Sequence, residues 1–81
     1  MEDENNILDR LERIWMTCIP CDNIDTSTSF FDLGGSSLSA MKVCVEIKRT
    51  FSISIKMSEF NHKTTILDQL KIVNSKILYG V

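Results

Sequence analysis

One proline, three glycines, one tryptophan, one tyrosine and one histidine among 81 residues leave this chain few backbone breakers and few aromatic platforms. Nothing in it repeats or collapses into a low-complexity tract. No run approaches the ~18 consecutive apolar residues of a membrane span. The acidic start Glu2-Asp3-Glu4 is wrong for a signal peptide. Positive charge is not in excess either: the net charge is −2, no basic stripe exists and aromatics make up 7%. This argues against nucleic-acid binding. Three cysteines cannot all pair, so reduced thiols in a cytoplasmic protein are the simpler reading. What is present is ordinary: 43% hydrophobic and 25% charged residues describe a soluble globular chain. Its length suits one monomeric domain over 1–81 with a core at about 7–78, burying only roughly 60% of the unfolded surface and stable by a few kcal/mol.

Ile7, Leu8, Leu11, Ile14, Trp15 and Cys18 follow the spacing of a one-faced helix. The acidic residues before it suit its N-terminus, and Pro20 ends it. From Cys21 to Ser36 the chain is rich in Asp, Asn, Ser and Thr, and Ile24, Phe30, Phe31 and Leu33 are available to pin it to the core. That predicts a long ordered loop, and a loop of this length in a compact domain is usually functional. A second helix is expected from about Ser37 to Phe51. Ser52-Ile53-Ser54-Ile55 alternates like a strand but has no partner run, so it reads as an extended connection. A short helical turn is expected from Met57 to Phe60, and a last helix from Thr64 or Thr65 carrying Ile66, Leu67, Leu70, Val73 and Ile77. The fold class is all-α: a small bundle of four helices, three main and one short.

Phe30-Phe31-Asp32-Leu33-Gly34-Gly35-Ser36-Ser37-Leu38 is the segment that carries chemistry. Gly34 and Gly35 permit positive φ and a sharp turn. Ser36 and Ser37 fall at the first positions of the second helix, where unpaired N–H groups and the helix dipole favour a phosphate. A serine there holds a phosphoester well and has no neighbour to activate it for acid–base chemistry. A helix-capping serine is the competing reading, and Ser36 is the better cap of the two.

Leu33-Gly34-Gly35-Ser36-Ser37-Leu38 resembles the Leu-Gly-Gly-x-Ser-Leu motif of peptidyl carrier (thiolation) domains of nonribosomal peptide synthetases, within the acyl carrier protein-like superfamily. Ser29-Phe30-Phe31-Asp32 before it, and a Phe60 segment with a Thr-initiated helix after it, extend the likeness from about Leu8 to Val73; Lys63 stands where many members have proline. The resemblance implies a helical bundle with a long loop between its first two helices, and no catalysis by the chain itself. It implies 4′-phosphopantetheine from coenzyme A attached to Ser37, with Gly35, Ser36 and Leu38 around it. It further implies a phosphopantetheinyl transferase and adenylation, condensation or thioesterase-type domains as partners, and an aminoacyl or peptidyl thioester as cargo. A polyketide-type acyl carrier is the alternative within the family, and a small unmodified helical interaction module is the alternative outside it.

At 100° per residue the second helix has two apolar faces. Ala40, Val43, Cys44, Ile47 and Phe51 form the core side, and Leu38, Met41 and Val45 lie opposite, beside Lys42. A second stripe rimmed by charge marks a partner-docking surface at Leu38, Met41, Lys42 and Val45; its burial between the other helices is the bland alternative. The net charge of +2 on this helix leans toward the peptidyl type, since fatty-acid carriers are usually acidic there. Cys18-Ile19-Pro20-Cys21 with Cys44 and His62 offers four potential zinc ligands, but Cys18 and Cys44 sit on packing faces and no metal is expected. His62 reads as a solvated loop residue with no carboxylate to orient it, Trp15 as core, and Asp32 as a loop-stabilising acceptor.

Overall fold

A computed structural model of the protein describes residues 4–60 and 63–79. The reading of His62 lies outside these residues. Three α-helices are present among them: α1 (Glu4–Cys18), α2 (Ser37–Phe51) and α3 (Ile66–Tyr79). No strand occurs among the described residues, and Ile53 to Lys56 carries no helix or strand, with Lys56 extended and Ile55 buried. The expected fourth helix is only one 3₁₀ turn, Met57–Glu59. Glu59 N–H donates to Lys56 O and Phe60 N–H to Met57 O, the i→i+3 pattern of such a turn. Ile55 and Phe60, both buried on either side of it, pin the segment too tightly to the core for a longer helix.

α1 packs against both α2 and α3, so it is the central element. Ile7, Leu11, Ile14 and Trp15 bury one face of it. The helix ends at Cys18, with Ile19 N–H still reaching Trp15 O before Pro20. α2 contributes Ala40, Val43 and Ile47, and closes on Ser52, whose left-handed backbone lets its N–H bond Lys48 O. The start of α3 is a capping box: Thr65 Oγ1 accepts from Asp68 N–H, and Asp68 Oδ2 accepts from Thr65 N–H. Of the two threonines, Thr65 is therefore the cap, and Thr64 is buried ahead of it.

The core face of α3 is Ile66, Gln69, Leu70 and Val73. Leu67 and Ile77, counted by the sequence reading among its apolar residues, are exposed. In their place the core accepts Gln69, whose Oε1 receives the indole N–H of Trp15 at 2.6 Å. Around Trp15 stand Phe30 (centroids 4.9 Å apart, edge to face) and Phe60 (6.1 Å, stacked). The long loop is thus drawn inward by Phe30 and Ile24, with Phe31 and Leu33 packed at its margin.

Candidate functional site

The turn before α2 is built from consecutive hydrogen bonds between residues close along the chain. Ser29 Oγ accepts from Asp32 N–H, Ser29 O from Leu33 N–H, Phe31 O from Gly34 N–H and Phe30 O from Gly35 N–H. Asp32 takes part through its backbone; the expected acceptor role of its exposed side chain has no donor among the described residues. The two glycines answer different needs. Gly34 has φ +105°, a region that side chains disfavour. Gly35 does not share that conformation; a Cβ there would fall against the Phe30 ring, 2.8 Å from Cζ and closer still to Cδ2 and Cε2.

Ser36 leaves the turn in extended conformation, and its Oγ accepts from Ser39 N–H at 3.2 Å. Its carbonyl receives Ala40 N–H, the first bond of α2. With Ser36 as the N-cap, Ser37 is the first helical residue and is exposed. No acidic residue lies in the first turn of α2, so an anion at Ser37 would meet the positive helix end and no carboxylate of that turn. These residues fit an attached phosphodiester.

Along α2, Leu38, Met41 and Val45 are 63%, 54% and 59% exposed, whereas Ala40, Val43 and Ile47 are fully buried. The stripe opposite the core is therefore open, not packed between helices. Cys44 is only half-buried and sits at the edge of the core face, its Sγ 3.9 Å from Met57 Sδ. Met41, Lys42, Val45 and Glu46 line a groove of about 440 Å³ with Thr17 and Cys18 at the end of α1. Burial, then Glu46, raises the Cys18 thiol, and burial, then Glu59, raises Cys44. Both are poor thiolates, suited to packing. All three cysteines are free, and no cluster able to hold a metal exists among the described residues. No helix among them is long and apolar enough to cross a membrane.

One feature of the site and one of the core beneath it escaped sequence reasoning. Phe30 N–H donates to Thr64 O at 2.8 Å, tying the turn to the segment before α3, and no local pattern encodes that bond. Gln69 was legible in principle, since it lies three residues after Ile66 and four before Val73, on the apolar face.

Residues 9–73 match the family model described as the phosphopantetheine attachment site. The chain is 31% identical over 75 residues to the nonribosomal peptide synthetase asaC of Aspergillus flavus, covering 93% of this chain and 7% of that protein. It is 39% identical over 59 residues to a phenolphthiocerol/phthiocerol polyketide synthase protein of Mycobacterium tuberculosis, covering 73% of this chain and 3% of that protein. The chain thus spans a small fraction of these relatives. A solution structure of a docking-domain complex of the Pax nonribosomal peptide synthetase superposes with a TM-score of 0.80 at 28% identity, over 91% of this chain and 71% of that one.

Proposed function

The chain belongs to the phosphopantetheine attachment-site family of carrier domains, and on that premise we propose that Ser37 is its attachment residue. The observation that carries this reading is the division of labour between adjacent serines: Ser36 spends its hydroxyl on the helix cap, and Ser37 presents its own to solvent at the positive end of α2. Gly35 and Ser36 shape the turn, and Leu38 begins the exposed stripe beside the site.

In the transfer, Ser37 Oγ attacks the pantetheine-side phosphorus of the coenzyme A pyrophosphate. The Oγ–P bond forms, adenosine 3′,5′-bisphosphate leaves, and the hydroxyl proton passes to a base of the phosphopantetheinyl transferase, with Mg²⁺ held by that partner. When attached, the group supplies a thiol that carries the cargo as a thioester. The chain's own contribution is to hold the phosphodiester at the end of α2, where backbone N–H groups and the dipole offset its charge. Adenylation, condensation or thioesterase-type domains supply catalysis and dock on Leu38, Met41, Lys42 and Val45. The chain itself is not an enzyme; it acts as one domain with its core at 7–78, in the cytoplasm, and takes aminoacyl or peptidyl cargo.

Incubation with coenzyme A, Mg²⁺ and a broad-specificity transferase should add one phosphopantetheine by intact mass. Ser37→Ala should abolish the addition. Ser36→Ala should retain it and lose only a capping contribution of ~0.5–2 kcal/mol. Label on Ser36, or none on the parent, refutes the assignment. The similarity to a polyketide synthase favours a second reading in which the same serine carries a polyketide acyl group. Loading of the modified protein by an acyltransferase, and by no adenylation domain, would select it.

A further inference from the structure

Two adjacent serines are chemically equivalent as helix caps, so something outside them decides which one caps α2 and which is presented. Phe30 is a candidate for that decision. Phe30 is fully buried, edge to face against Trp15 at 4.9 Å, Phe60 at 4.7 Å and Phe31 at 5.6 Å. Its ring occupies the space that a side chain at position 35 would need. Its backbone is bonded on both sides, N–H to Thr64 O and C=O from Gly35 N–H at 3.0 Å. Through Trp15 the ring is referenced to α1, and through Phe60 and Thr64 to the segments leading into α3. Gly35 is therefore located by the core, one residue before the cap.

We propose that Phe30 is the positioning residue of the attachment reaction: its ring seats the Gly35 backbone, which sets the register in which Ser36 caps α2 and Ser37 faces outward. This rests on the assignment of Ser37 and deepens it. Phe30 touches neither coenzyme A nor the reacting atoms. Its effect is on where the Ser37 hydroxyl stands when the transferase binds, and a small displacement of a nucleophile is costly in rate. The exposed face of α2 is left intact by changes at Phe30, so recognition by the transferase should not depend on it.

The test compares steady-state transfer of phosphopantetheine from coenzyme A in the full chain. Phe30→Leu should lower kcat by about tenfold while KM for the carrier stays within about twofold. Val73→Ala, a core change on α3, serves as a control for lost stability and should leave kcat near that of the parent. Should Phe30→Leu fail to fold by circular dichroism, Phe30→Met takes its place with the same expectation. A parent labelled on Ser37 together with an unchanged kcat in the Phe30 variant overturns this inference alone. So does a loss matched by Val73→Ala. A parent that takes no label, or a Ser37→Ala variant that does, overturns the attachment reading beneath it.

Discussion

Replacing Gln69 by leucine should cost the domain more than its small change in volume suggests. The side chain is 1% exposed, and its Oε1 receives the indole N–H of Trp15, itself fully buried, at 2.6 Å. Leucine removes the acceptor and strands that N–H in the core, a cost of about 1–3 kcal/mol. The burial gained by an apolar side chain offsets part of it. In a domain of this size a loss of 1 kcal/mol lowers Tm by roughly 4–8 °C, so Gln69→Leu should melt well below the parent. Trp15→Phe leaves the opposite orphan, a buried amide oxygen, together with a cavity. The double variant Trp15→Phe/Gln69→Leu has neither orphan and retains only the cavity. Its loss should therefore fall short of the sum of the two single losses by about 1–2 kcal/mol. Urea unfolding followed by far-ultraviolet circular dichroism measures all four proteins, including those without the sole tryptophan. A coupling within about 0.5 kcal/mol of zero would mean that the bond contributes nothing beyond packing, and that reasoning from the orphaned indole is wrong.

Met41→Glu and Val45→Glu, on the open stripe of α2, should leave Tm near that of the parent yet slow loading by partner domains, because the new charge must be desolvated in an apolar contact. Ile47→Glu, fully buried on the opposite face, should unfold the domain, as a lone buried carboxylate costs several kcal/mol against a stability of a few; equal destabilisation on both faces would refute the assignment of the stripe. Glu59 offers a pH test. Its carboxyl is held below the usual carboxylate range by the Lys56 N–H it accepts, then by the Lys76 ammonium at 3.3 Å. A lowered folded pKa contributes stability above the unfolded value and loses it as pH falls through the folded one. Glu59→Gln should therefore lower Tm at neutral pH and converge with the parent in acid, and a gap that widens in acid would reverse the sign of this argument.

Local chemistry made much of this protein readable from its residues. The i, i+3, i+4 spacing in α1 and the Pro20 stop fixed one helix almost to its ends. The glycine pair followed by two serines marked both the turn and the start of α2, and the 100° periodicity separated its buried from its open face. In each case the determining interaction lies within a few residues along the chain. The same motif pointed to the attachment serine proposed above and, through its likeness to carrier domains, to the family to which the chain belongs.

What local pattern could not supply was anything that depends on a distant surface. Met57–Glu59 looked helical, and only the burial of Ile55 and Phe60 against other elements held it to a single 3₁₀ turn. Leu67 and Ile77 are as apolar as their buried neighbours, yet they stay exposed while Gln69 is buried, its Oε1 meeting the indole N–H of Trp15 on another helix. Gly35 reads in the sequence as a residue freed for positive φ. Its requirement comes instead from the ring of Phe30, and that ring takes its place from Trp15, 15 residues before it, and Phe60, 30 residues after it. Short-range bonds are encoded where they form, whereas a steric fit among side chains brought together from separate parts of the chain exists only once the chain has closed on itself.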